Sequence, residues 1–235
     1  MTTRLAINEQ NQMQEIRENQ FPQQPMAIRI IAKVVSYIFH PVFVPLYVIG
    51  FMVYIHPYLF AGLSDFDKLK IFIQSFVNFT FFPLVTVLLL KGLNFIDSIY
   101  LRTQRDRIIP FIACMIWYFW IWYVWNNYGK TTGLDIPVVA VQFALATFIS
   151  TIIGLMVNIK MKVSLHAISM GIMIAFMFML AFQQDLNFGI YISIALFIAG
   201  LVCTARFIVS DHTGAEVYGG LIVGILSMLI AGWVG

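Results

Sequence analysis

Ala205-Arg206-Phe207-Ile208-Val209-Ser210-Asp211-His212-Thr213-Gly214-Ala215-Glu216 stands between two long apolar segments near the C-terminus of a 235-residue chain. Ionisable residues at such a boundary point to a functional site, because charge at the edge of a membrane is costly to keep. With a helix running onward from Thr213, Glu216 lies one turn beyond His212 on the same face, within reach of one imidazole nitrogen. The other nitrogen is then free to attack or to shuttle a proton. Arg206, just upstream, offers a planar cation suited to phosphate oxygens. The helix start adds unpaired N–H groups and a positive dipole end, so the place favours an anion.

The rest of the chain sets the class. Apolar residues make up 60% of it and charged residues only 11%, and the mean hydropathy is +0.86, which describes an integral membrane protein built as an all-α, polytopic transmembrane helix bundle. The net charge of +3 comes without a basic run, which argues against a nucleic-acid partner. Cys114 and Cys203 both lie in apolar segments, so they read as packing residues rather than a disulfide or zinc framework. Residues 1–25, rich in Gln, Asn and Glu, read as a polar, disordered tail, leaving 26–235 as a single transmembrane helical domain.

Hydropathy divides that domain into about six to seven spans. Arg29, Lys33 and His40 accompany Ile and Val in a segment suited to the membrane surface, and Pro41 and Pro45 then bend or restart it before a first span that runs to about Phe60. Further spans are expected over about 71–90, 108–125, 137–158, 167–182, 188–204 and 213–234. Trp117, Trp120, Trp122, Tyr123 and Trp125 read as an interfacial belt. Gly220 and Gly224, with Gly214 and Gly219 nearby, allow close helix packing.

Two other polar stretches carry chemistry. Arg102, Arg105 and Arg107 fall within six residues, a spacing suited to a phosphate clamp as well as to interfacial anchoring. Lys160-Met161-Lys162-Val163-Ser164-Leu165-His166 precedes the fifth span; Ser164 can cap the following helix and help to hold an oxyanion, and His166 is placed to give a proton to a leaving oxygen. Two spans separate the arginines from Ser164 and His166, and two more separate those from Arg206 and His212. Even counts return the chain to one side, so the three stretches can share one interfacial site.

Together these residues resemble the type 2 phosphatidic acid phosphatase superfamily, whose motifs read Lys-x6-Arg-Pro, Pro-Ser-Gly-His and Ser-Arg-x5-His-x3-Asp. The third is matched by Ala205-Arg206, His212 and Glu216, with Ala for Ser and Glu for Asp. The second keeps Ser164 and His166 but has Val163 and Leu165 for Pro and Gly. The first is degenerate: the arginines precede Pro110, yet no Arg-Pro pair occurs, and Arg107 with Arg102 are the favoured phosphate contacts. The resemblance covers about Arg102 to Glu216. It implies a metal-independent, cofactor-free phosphatase acting on lipid phosphomonoesters or on isoprenyl or lipid diphosphates through a phosphohistidine. In that scheme His212 attacks, Glu216 fixes its tautomer and His166 protonates the leaving group. Arg102, Arg107, Lys162, Ser164 and Arg206 bind phosphate, with Lys162 offsetting the missing glycine.

Arg4, Arg17, Arg29, Lys33, Lys91, Arg102, Arg105, Arg107, Lys160, Lys162 and Arg206 fall on the side of this site, against Lys68, Lys70 and Lys130 on the other. The positive-inside rule then makes the site cytoplasmic, in a bacterial inner membrane. A lipid-phosphate transporter or binding protein, and a phosphotransferase to an acceptor other than water, are the competing readings. A metal site at Asp211, His212 and Glu216 lacks further carboxylates to complete hard-cation coordination.

Overall fold

The computed structural model describes residues 4–7, 13–16, 24–96, 101, 103–183, 187–209 and 212–235. It is an all-α bundle with six helices long and apolar enough to cross a membrane. They are α3 (Asp65–Gly92), α4 (Gln104–Asn126), α5 (Val138–Lys160), α6 (Leu165–Gln183), α7 (Gly189–Val209) and α8 (Gly214–Val234). Before them come α1 (Met26–Ile38) and a shorter apolar helix, α2 (Val44–Ile55). In the N-terminal tail, β1 (Arg4–Ile7) and β2 (Met13–Ile16) pair antiparallel with Arg4 opposite Ile16.

The expected break at Pro41 and Pro45 separates α1 from α2, but α2 is shorter than the span expected there. Phe39 to Phe43 form a turn around His40-Pro41, with the Phe43 N–H bonded to the His40 carbonyl at 2.8 Å, and Pro45 sits in the first turn of the restarted helix. At 1.5 Å per residue α2 is only ~18 Å long, short of the ~30 Å hydrocarbon core. It leaves from the His40 turn, and His56, just past its far end, stacks on Phe188 at the start of α7.

Local signals set the helix starts that matter most. Thr103 Oγ1 accepts the Asp106 N–H at 3.1 Å while the Asp106 carboxylate accepts the Thr103 N–H, a reciprocal cap that begins α4 well before Pro110 and places Arg105 and Arg107 in its first turns. The same device at Thr213 and Glu216 begins α8. Ser164 Oγ accepts the Ala167 N–H at 3.4 Å at the start of α6.

The interior belongs to α5 and α6, each 61% buried across its most apolar stretch, against 22% for α7. Between α6 and α8 the approach is as close as backbones allow. A side chain at Gly224 would overlap the Ile168 carbonyl, one at Gly171 the Leu221 carbonyl, and one at Gly220 would lie 2.7 Å from the Ser164 carbonyl. Without a hydrophobic force between helices in lipid, such contact is what holds them. The aromatic cluster of α4 departs from a simple interfacial belt. Trp120 and Tyr123 are exposed, but Trp125 is buried with its Nε1–H on Gln74 Oε1 at 3.0 Å. Trp117 stacks on Phe82 and donates to Thr86 Oγ1 at 3.1 Å. Their indole donors find partners on α3, so packing wins over the interface.

Gly224→Val should lower the thermal midpoint in detergent, since overpacking costs about 1–3 kcal/mol or more. Gly200→Ala, whose added carbon meets nothing within 4 Å, should leave the midpoint unchanged or slightly raised. Equal midpoints for the two variants would remove the α6–α8 contact from its structural role.

Candidate active site

Three helices, α4, α6 and α8, begin at one end of the bundle, and their first turns are tied to one another through the backbone. The Ser164 N–H, at the start of α6, donates to the Glu216 carbonyl in α8 at 3.1 Å. Arg107 in α4 donates from Nη1 to the Val163 carbonyl, just ahead of α6, and from Nε to the Leu101 carbonyl at 2.9 Å. Leu101 has φ of 49°, a strained left-handed setting for a leucine, and the buried guanidinium secures its carbonyl. Asn158, in the last turns of α5, donates to the Gln104 carbonyl at 2.9 Å and so brings α5 to the same place. Three positive helix ends thus meet where the even span counts require them to.

The histidine and carboxylate at the centre are both buried. His212 Nδ1 lies 2.8 Å from Glu216 Oε2, and Oε2 also accepts the Thr213 N–H at 3.2 Å. An ionised carboxylate only accepts, so Nδ1 carries the proton and the Nε2 lone pair is available. Burial lowers the His212 pKa from 6.5 to about 4; the Glu216 hydrogen bond opposes this, and the charges of Arg107, Lys162 and Arg206 add to it. At neutral pH the ring is therefore an uncharged base or nucleophile in a positive field.

The other expected residues distribute around this pair. Lys162 is half-buried and acts electrostatically on His212, as Arg107 and Arg206 do. Arg107 is buried and Arg105 exposed, so of the two described arginines in the cluster only Arg107 reaches the site. Two of its five N–H donors go to carbonyls in the bonds above. Arg102 and Asp211 lie outside the described residues. Ser164 is fully buried, with its Oγ capping α6. His166 Nε2 lies 3.0 Å from the carbonyl of Ser36 in α1. Among the described residues no three His, Cys, Asp or Glu side chains gather as a metal ion would need.

The structure adds one residue that no motif singles out. His40, in the turn between α1 and α2, packs edge-on against His166 with ring centroids 5.4 Å apart. Its one sequence signal is a histidine beside Pro41 at a helix break. The two reciprocal caps were open to reading, as Thr-x-x-Asp at 103–106 and Thr-x-x-Glu at 213–216. Comparison with protein-family models, with curated proteins and with solved structures finds no match to this chain.

His40 and His212 are each held at about 4 against an ordinary 6.5, so the unfolded chain binds more protons than the folded one across that window. The stability contributed by keeping these rings neutral is present above pH 6.5 and is lost as pH falls through 4. The thermal midpoint in detergent should drop over that range. His212→Asn, which keeps a donor toward Glu216 but does not titrate, should show a shallower drop; an identical pH slope would show that His212 titrates as it does in the unfolded chain.

Proposed function

We propose that this protein is a membrane phosphatase that hydrolyses lipid phosphomonoesters or lipid diphosphates through a phosphohistidine on His212. The observation that carries the reading is the buried 2.8 Å pairing of His212 Nδ1 with Glu216, within the field of Arg107, Lys162 and Arg206. A pure anion binder requires the cations, but has no need of a neutral imidazole held by a carboxylate in one tautomer. The spacing of Arg206, His212 and Glu216 is also what gives the chain its resemblance to the type 2 phosphatidic acid phosphatases.

In this reading His212 Nε2 attacks phosphorus as the bond to the leaving oxygen breaks, and His166 gives that oxygen its proton. Water then attacks the phosphohistidine, passes a proton back to His166 and releases phosphate with His212 restored. Arg206, Lys162 and Arg107 stabilise the equatorial oxygens as charge builds, and the helix ends add to them. Arg102 belongs to the same proposed set.

A lipid substrate is supported by a groove of ≈ 330 Å³ between α1 and α7, lined by Ile28, Ile31, Val35, Phe197, Leu201 and Ile208. Val35 and Ala205 bring the groove next to Ser36 and Arg206, so an apolar tail lying in it would deliver a phosphorylated head to the site. The excess of lysine and arginine on the site's side of the bundle supports a cytoplasmic orientation, in a bacterial inner membrane.

Purified protein in detergent with EDTA should release phosphate from at least one of a panel of lipid phosphates and diphosphates, and His212→Ala should lower that release by about 10³-fold or more. Glu216→Gln should lower turnover more than affinity. Phosphate transferred to an added alcohol in place of water would define a phosphotransferase. Lipid-phosphate binding with no release by the wild type would sink the phosphatase reading in favour of a carrier.

A further inference from the structure

The site holds a third histidine, and its neighbours define what it can do. His40 and His166 meet edge to face at 79°. A carbonyl can only accept, so the His166 Nε2 that faces the Ser36 carbonyl carries a proton, and in the neutral ring the lone pair is on Nδ1. Among the described residues, His40 Nδ1 is buried with no hydrogen-bond partner. Arg206 of α7 bears on both rings, and His212 bears on His166. Among the described residues, no acidic side chain is one of the charged groups acting on either ring. Two imidazolium ions this close, beside a guanidinium, repel, so the pair accommodates one proton at most, and only when a negative charge arrives.

We propose that His40 and His166 form a proton-holding pair in which His40 is the positioning partner, and that binding of a tetrahedral oxyanion beside Arg206 draws one proton onto the pair. The inference rests on the phosphoryl reading only for the identity of the anion. Burial, and then Arg206, lower His40 to about 4, so the ring is neutral at pH 7 before an anion binds. A bound dianion reverses the sign of the local field. In the proposed reaction the captured proton moves to the leaving oxygen as the P–O bond breaks, and the attacking water replaces it when the P–N bond breaks. The Ser36 carbonyl keeps Nε2–H turned to α1, so His166 gives and receives this proton at Nδ1. The N-terminal helix is on this account part of the acid machinery.

Tungstate is a suitable probe, because it is a tetrahedral dianion that carries no proton of its own near neutral pH. Titration calorimetry of the full chain in detergent at pH 7, in two buffers of different ionisation enthalpy, counts the protons taken up. Wild type should take up about one proton per tungstate. His40→Phe, which fills the same space, should take up less than half as much and bind about three- to tenfold more weakly.

Histidine NMR of the wild type gives a reading that no variant's folding can spoil: a ring other than His212 should move toward imidazolium when tungstate binds. An unchanged proton count in His40→Phe, no such ring shift, or no tungstate binding by the wild type would each overturn the proposal. Proton uptake that depends on His40, without phosphate release from any lipid, would sink the phosphatase and leave the pair standing. Phosphate release with uptake indifferent to His40 would do the reverse.

Discussion

Glu216 is the residue on which the end of the bundle depends, because one carboxylate oxygen and one carbonyl serve three elements at once. Its Oε2 accepts from the Thr213 N–H, which begins α8, and from His212 Nδ1. Its carbonyl accepts from Ser164 at the start of α6. A helix start buried in a membrane protein must satisfy its own N–H groups, and a reciprocal cap does so at a cost of one acidic side chain. Here the same side chain also orients the imidazole. Glutamate is the fitting length: from the third position of the helix it reaches back past the cap to a ring one residue before it. The local need of the fold and the need of the site are met by one group, so neither can vary without the other.

The geometry around Glu216 is held at a distance by glycine. Gly220, Gly224 and Gly171 let α6 and α8 approach until only backbone separates them, over the turns that follow Ser164 and Glu216. That contact is rigid, since the neighbours at Gly224 and Gly171 are main-chain atoms with nowhere to move. Arg107 ties the third helix start to the same point by donating to carbonyls that no helix could pair. A cation is thus held in place by the peptide backbone.

Much of this was legible in the sequence because it follows from period, parity and spacing. Apolar runs of helical length gave the all-α bundle, parity placed the three polar stretches at one end, and the four-residue step from His212 to Glu216 gave their contact. What escaped depended on contacts far apart in sequence. Hydropathy sums over a window, so the break at Pro41 and Pro45 was read but the segment after it was taken for a full span, although α2 is too short to cross by itself. His40 read only as part of a membrane-surface segment, because its significance comes from His166, 126 positions away. Trp117 and Trp125 look like belt residues until α3 supplies Thr86 and Gln74 as acceptors for their indoles. In each case a polar partner across the bundle overrode the local preference.

The electrostatics of the site follow from the same convergence of helix starts. Arg107, Lys162 and Arg206 converge on His212 with the positive ends of three helices, against Glu216 and the capping Asp106. Burial first, and then these charges, which water at the buried end of an apolar bundle screens little, keep His40 and His212 uncharged. Gathering like charges at a buried helix start is unfavourable in itself. The arrangement is stable only because the caps, the Arg107 carbonyl bonds and the glycine contact fix the helix starts independently of any ligand. An anion entering there would meet cations and helix starts already fixed in place, without the cost of gathering them.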